Sequence, residues 1–248
     1  AYAVAEGAPW RVPRGSGRFR APPRPPLPLP SGGPEAAYLF QELDDNVESV
    51  VEAAVALLRR HPATRLVALD VENGRLGSPI PGYGATARLL RGLEAAGVDR
   101  GAVELVDFDH SGMIHTLVEA QTVVRHARAR GWRRPALVAP AFHPPRAAAT
   151  AASVASREHP ELKIYPLPGT PLPWTAKAMH SQGMSGVRAD FIDTEMDRMR
   201  RYTAKGDILP HRELERLFAT VHPGPEPPAE RFASKVTYAE FLERLALC

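Results

Sequence analysis

"PALVAPAFHPPRAAATAASVASREHPELKIYPLP" (residues 135–168) decides the fold. It opens on "PALVAP" (135–140), a short apolar run that reads as a strand. "PPRAAATAASVASREH" (144–159) follows, a helix with proline at its start, where the missing N–H costs nothing. "LKIYPLP" (162–168) is a second apolar run. The connection is too long for a hairpin and long enough for a crossover, which favours parallel pairing. Strands that read as unbroken apolar runs rather than alternating ones are covered on both faces. The unit is therefore strand, crossover helix, strand, and the chain belongs to the α/β class.

The pattern extends in both directions. "TRLVALD" (64–70) and "AVELVDF" (102–108) are two further strands. "GYGATARLLRGLEAAG" (82–97) and "IHTLVEAQTVVRHARARG" (114–131) are helices, each closed by a glycine that accepts the left-handed conformation at a helix end. Upstream, "EAAYLFQELDDNVESVVEAAVALLRR" (35–60) has helical spacing through Leu39, Leu43, Val47, Val50 or Val51, Ala54, Leu57 and Leu58, and predicts one long helix. Residues 169–189 read as a polar loop containing Trp174. "DFIDTEMDRMRRYTAKG" (190–206), "PHRELERLFATVH" (210–222) and "YAEFLERLAL" (238–247) read as helices, with "PGPEPP" (223–228) as a linker. The expected organisation is a Pro/Gly/Arg-rich arm over 1–34, an α/β domain over 35–206 and a C-terminal helical extension over 207–248. The α/β domain is a sandwich of a mostly parallel sheet with helices on both faces.

Composition narrows the function classes. The chain has 248 residues, 31 Lys and Arg against 28 Asp and Glu, and one cysteine, Cys248. A single cysteine excludes an internal disulfide framework and any multi-cysteine zinc or iron–sulfur centre. No apolar run of transmembrane length is present, so no transmembrane segment is expected, and a cytoplasmic location is consistent with that. The chain begins at Ala1 rather than Met, which leaves room for a removed signal, anchor or transit segment. Basic charge is concentrated in "WRVPRGSGRFRAPPR" (10–24), which holds five arginines and no acid. Such an arm is either solvated or docked, on its own body or on a partner. The body carries no RNA-binding motif, which argues against nucleic acid.

In an open parallel sheet, ligands bind beyond the carboxyl ends of the strands. That rule selects Asp70, Glu72 and Asn73 after the 64–70 strand, Asp107, Asp109, His110, His115 and Thr116 after the 102–108 strand, and His143 and Arg146 after the 135–140 strand. Thr116 and Glu119 fit the T-x-x-E capping box, and a helix start is also an anion site. Asp107 and Asp109 share a face on an extended chain, as acid–base pairs and metal ligands do. His110 and His115 are five apart, outside the helical metal spacing, so a divalent metal would need the loop to join them to Asp107, Asp109 or His143. Arg146 falls in a first helical turn, where the dipole disfavours a cation by roughly 0.3–1 kcal/mol unless an anion meets it. "GYGATA" (82–87) imitates a dinucleotide fingerprint but lies too far beyond its strand.

Four stretches, "VALDVENG" (67–74), "ATARLLRGLEAAGV" (85–98), "HTLVEAQTVV" (115–124) and "LVAPAFHPPRAA" (137–148), resemble in order and spacing the motifs of the YdcF-like family of bacterial proteins. "TEMDRMRRY" (194–202) is similar to the family's closing E…Y helix. The resemblance covers about residues 64–202. It implies a Rossmann-like three-layer domain with its cleft at the strand ends. Thr116, Glu119, His143 and Arg146 would line that cleft, as would Arg88 if its helix start faces inward. The family is linked to envelope biogenesis, and S-adenosylmethionine binding has been proposed for it.

Two functions follow as expectations. The first is a small-molecule ligand-binding protein or enzyme, a hydrolase or transferase. His143, with Asp70 or Asp109, would supply acid–base chemistry. Arg146, Thr116, Glu119, Arg88, Asn73, His115 and His110 would bind an anionic or nucleotide-like ligand. The second is a non-catalytic subunit or scaffold of a larger assembly that docks through the basic arm of residues 1–34 and the C-terminal extension, with RNA as an alternative contact for an arm that carries Trp10 and Phe19 among its arginines.

Overall fold

The computed structural model describes residues 29–40, 44–71, 85–108, 114–179 and 185–221. Most of the arm, Glu72 and Asn73, the start of the GYGATA match, Asp109, His110, the 223–228 linker and the helix expected over 238–247 lie outside the described residues.

A five-stranded, all-parallel sheet forms the centre, in the order β3-β2-β1-β4-β5. Its strands are β1 (Ala36–Leu39), β2 (Arg65–Leu69), β3 (Val103–Val106), β4 (Ala136–Ala139) and β5 (Tyr165–Pro168). The helices are α1 (Asp44–Arg60), α2 (Ala85–Ala95), α3 (Thr116–Arg130), α4 (Pro144–Glu158), α5 (Asp190–Lys205) and α6 (His211–Val221). One face of the sheet shares a core with α1 and α2, through Ala37, Leu39, Val50, Leu57, Leu89 and Leu93. The other face, through Tyr38, Phe40, Leu69 and Leu137, shares a core with α3 and α4. Helices on both faces of a parallel sheet make the Rossmann-like three-layer sandwich.

The sequence expectation fails at one decisive place. The helix predicted from Glu35 begins only at Asp44, and Ala36–Leu39 is β1, the central strand. The reason is visible in burial: Ala36, Ala37, Tyr38, Leu39 and Phe40 are all at most 2% exposed. Five consecutive buried residues leave no polar face, which is the signature of a strand covered on both sides. The helical phase of Leu39 and Leu43 with Val47 is a coincidence of spacing. The loop expected over 169–189 also contains structure: β6 (Lys177–Met179) and β7 (Ser185–Val187) pair antiparallel. Strands this short are below what alternation can reveal.

α4 explains the alanines of its sequence. Every residue from Pro144 to Ala155 is buried. The sheet and α3 pack on Ala147, Ala151 and Val154, while α5 and α6 pack on Ala148, Ala149 and Ala152 through Met199, Leu214 and Phe218. Only small side chains let four neighbours approach one helix. α6, though it begins the C-terminal extension, thus shares a core with α4 and α5. The Ser153 hydroxyl donates to the Ala149 carbonyl and accepts from the Leu209 amide, tying the α5–α6 turn to the same helix.

Candidate functional site

The order of the strands positions the site. From β1 the chain moves outward through β2 to β3, then returns to place β4 on the other side of β1. The connections after β1 and β4 therefore leave in opposite directions, which makes their carboxyl ends the topological switch point of the sheet. Phe40 ends one connection's first step and His143 caps α4 at the other. Their rings meet edge to face at 5.2 Å between centroids.

Around this point the fold gathers a buried polar network. His143, Arg146, Thr116, Glu119, Glu195 and Arg198 are each 6% exposed or less. Arg146 Nε donates to Glu195 Oε2 at 2.7 Å, and His143 Nδ1 lies 2.9 Å from the same oxygen. Arg198 donates to Glu195 Oε1 at 2.9 Å. Arg146 also donates to the Thr116 hydroxyl at the start of α3. One turn on, the Tyr38 hydroxyl donates to Glu119 Oε1 at 2.9 Å. The network thus joins β1, α3, α4 and α5. Buried charges survive only when paired and hydrogen-bonded, and among the described contacts two guanidiniums, those of Arg146 and Arg198, meet the one carboxylate of Glu195.

Local sequence explains each placement. Pro144 and Pro145 occupy the first two helical positions of α4, which puts Arg146 in the first turn and leaves His143 as the cap, with no side-chain capping bond of its own. The anion that offsets the unfavourable dipole at Arg146 is Glu195, supplied by the chain itself. In α5, Phe191, Glu195, Arg198 and Met199 are the buried residues. Their spacing is that of a single helix face, so Glu195 and Arg198 are charged residues standing on an apolar stripe.

The capping box expected at Thr116 and Glu119 does not form. His115 is the cap of α3 and Thr116 its first helical residue. The Thr116 hydroxyl is taken by Arg146, and the Glu119 carboxylate by Tyr38.

The remaining expected residues fall elsewhere on the edge. Asp70 follows β2, and its amide donates to the Val106 carbonyl at 2.9 Å. Asp107 follows β3 and accepts the Phe108 amide at 2.9 Å. With strands about 4.8 Å apart, the end of β2 is roughly 10 Å from that of β4, and the end of β3 roughly 15 Å. Arg88 is half-buried in the first turn of α2, and His115 half-buried at the start of α3. Thr86, next to Arg88, fastens α2 to the end of β2 by donating to Leu69 O at 2.6 Å and accepting from the Val71 amide at 2.9 Å. Among the described residues no group of three or more His, Cys, Asp or Glu converges as a metal site, and no helix is long and apolar enough to cross a membrane.

Sequence reasoning missed Glu195, Arg198 and Tyr38 as site residues. Tyr38 was hidden by the helical misreading of its strand. Glu195 and Arg198 carried a usable signal, since both sit in register with Phe191 and Met199. A groove of about 110 Å³ does exist, but at the opposite edge of the sheet, lined by Ser156, Leu162, Ile164, Leu217, Phe218 and Val221. It holds none of the network residues.

No protein-family model matches the chain, and no curated protein or solved structure is significantly similar to it.

Proposed function

We propose that this chain is a YdcF-like α/β protein that binds a small anionic or nucleotide-like ligand, with S-adenosylmethionine as one candidate, at the β1–β4 crevice. The observation that supports the reading is the coincidence of His143 and Arg146 with the point where the strand order reverses. Open α/β sheets bind ligands at that point for a geometric reason: diverging connections leave a crevice lined by helix starts and their free N–H groups. A histidine beside a clamped arginine supplies an acid–base group and positive charge there, as a hydrolase or transferase would need. A divalent metal would draw on Asp70 or Asp107, which follow β2 and β3.

The test is calorimetry on the full chain with S-adenosylmethionine, adenosine monophosphate and inorganic phosphate, comparing wild type with the double variant His143→Ala, Arg146→Ala. Binding by wild type and a loss of at least about tenfold in the folded variant, equivalent to about 1.4 kcal/mol, supports the reading. Undiminished binding sinks it.

One observation favours a second reading, the scaffold. Glu195 meets both Arg146 and Arg198, so the network is held together by the chain's own side chains. In that reading the network locks α3, α4 and α5 together and residues 1–34 carry the interaction. Removing residues 1–28, which keeps Leu29 on the core and the Pro34 carbonyl that Thr64 binds, would then abolish co-purification of a protein partner and leave the melting temperature of the body unchanged.

A further inference from the structure

The five strands run parallel, so their amino ends share one edge of the sheet, and the helices that lead back to them end there too. That edge is dense in arginine. Arg59 and Arg60 stand in the last turn of α1, Arg128 and Arg130 in that of α3, and Arg157 in that of α4. Arg65 begins β2, and Arg133, Arg134 and Lys163 lie in the links to β4 and β5. Two ordinary causes account for part of this. A cation complements the dipole at a helix end, and ion pairs hold Arg130 to Glu104, Arg133 to Glu161 and Arg134 to Glu35. They leave Arg59, Arg60, Arg65, Arg128, Arg157 and Lys163, all exposed, with no carboxylate partner among the described residues. Arg65, Arg128 and Arg157 donate to the carbonyls of Gly101, Glu158 and Gly206, which neutralise no charge. The dipole cannot answer the rest, since a helix end carries about half a negative charge and α1 alone ends on two arginines. The acids of this edge that meet no cation, Glu94 and Asp99, lie at the end of α2 and in its link to β3, on the side of the sheet away from β5.

We propose that this basic edge binds the phosphate backbone of a nucleic-acid chain without reading its bases. From the start of β2 to that of β5 it runs three strand spacings, about 14 Å. The end of α1 widens it on one face of the sheet, and the ends of α3 and α4 on the other. Arginine forks match phosphate oxygens two at a time. The kind of partner follows from what the edge lacks. Among the described residues Met179 is the one exposed large hydrophobic side chain, and it belongs to β6. A membrane surface is held by apolar side chains sunk among the headgroups as well as by charge. A protein interface is held by buried aromatic and aliphatic anchors. An array of arginines with neither fits a partner recognised through charge alone, as phosphate backbones are. Such contacts need no base-reading motif, so the absence of one from the body is no obstacle. The chain enters the body at this same edge, through residues 29–34, where Arg134 donates to the Ser31 carbonyl. The five arginines of residues 10–24 precede that entry and carry charge of the same sign. His143 follows β4 at the opposite end of the strands, so the edge works without a small ligand there.

The test is fluorescence anisotropy of the full chain with a labelled oligouridylate of about 20 nucleotides, long enough for a complete site. It is repeated with salt raised from about 50 to about 200 mM. Binding is expected at low salt, with a steep fall as salt rises and equal affinity for a second RNA of unrelated sequence. On a single strand each phosphate contact contributes about 0.7 to the slope of log affinity against log salt. Arg59, Arg60 and Lys163 have no described side-chain hydrogen bond or ion pair to lose. The triple variant Arg59→Gln, Arg60→Gln, Lys163→Gln is therefore expected to make the slope shallower by about 2. Arg128→Gln with Arg157→Gln, on the helices of the other face, is expected to take about 1.4 from it and serves if the first variant does not fold. Absence of RNA binding at low salt overturns the proposal. An unchanged slope in the folded variants assigns the binding to residues 1–28 and overturns it equally. A strong preference for one RNA sequence refutes backbone recognition. Vesicles of equimolar phosphatidylcholine and phosphatidylserine, or polyglutamate, that hold the chain more tightly than RNA at the same salt refute the choice of nucleic acid.

Discussion

Replacing Glu195 by glutamine is the sharpest test of what holds α5 to the body. Among the described residues the carboxylate accepts from Arg146 and Arg198 at 2.7 and 2.9 Å and lies 2.9 Å from His143 Nδ1. All four side chains are at most 6% exposed. Both oxygens face a guanidinium N–H, so the glutamine amide must turn its own N–H toward one arginine whichever way it is placed. The charge that compensates two buried cations is lost at the same time. Breaking a buried pair by removing one partner costs about 3–5 kcal/mol, and glutamine keeps one good acceptor, which places this variant near the lower end. A loss of about 3 kcal/mol is a large share of the 5–15 kcal/mol typical of a whole domain. Urea unfolding followed by circular dichroism measures it, with a lower midpoint and an unchanged slope expected. Adding Arg198→Met should return part of the loss, because the orphaned cation is then removed as well, with a coupling of about 0.5–3 kcal/mol. A loss below about 1 kcal/mol, within the range of surface ion pairs, would refute the view that the network is structurally dominant.

Three further outcomes follow from particular contacts. Gly169 packs so tightly on α1 that a Cβ would lie 2.2 Å from Ser49 Oγ and 3.0 Å from the Ser49 carbonyl, so Gly169→Ala should cost about 1–3 kcal/mol in the same unfolding assay, as overpacking does, and Ser49→Ala should restore only part of it. Ala149→Leu, placing a larger side chain between α4 and the helices beyond it, should cost a similar 1–3 kcal/mol, and a neutral result would mean that α5 and α6 are free to move outward. His126 is held below its ordinary value of 6.5, because burial against Trp132 outweighs the attraction of Glu104. The folded state therefore prefers the neutral ring: the contribution to stability is present above pH 6.5 and is lost as pH falls from there through the lowered folded value. Melting temperatures across that window should fall more steeply for wild type than for His126→Phe, and parallel curves would exclude His126 as the cause.

How much of this was legible in the sequence depended on what each pattern measures. The strand–helix–strand run over 135–168 was readable because its strands are wholly apolar and its crossover is punctuated by prolines. β1 was not, because "AAYLF" abuts an amphipathic helix and Leu39 falls in its phase. An unbroken apolar run and the end of a helical stripe look alike over five residues. Only the demand that the sheet have a centre separates them. That error also concealed the topology: with β1 absent, the reversal of strand order that locates the crevice could not be seen.

Arg146 shows the opposite case, in which local physics was right and its partner was out of reach. A cation in a first helical turn asks for an anion. The sequence offered phosphate or carboxylate as the answer, and the fold supplies the carboxylate of Glu195 from 49 residues away. Such a pairing leaves no trace in spacing along the chain. It leaves one within α5, where two charged residues stand in register with Phe191 and Met199 on the face that must be buried. Burying a charge is costly without a partner, so a charged pair on an apolar stripe is itself a request for opposite charge across the interface. Matching the two requests, a misplaced cation on one helix and a misplaced anion on another, identifies Arg146 and Glu195 as partners before any coordinates are known. Because the same carboxylate also lies 2.9 Å from His143 Nδ1, that match ties the stability of α5 to the histidine at the switch point of the sheet.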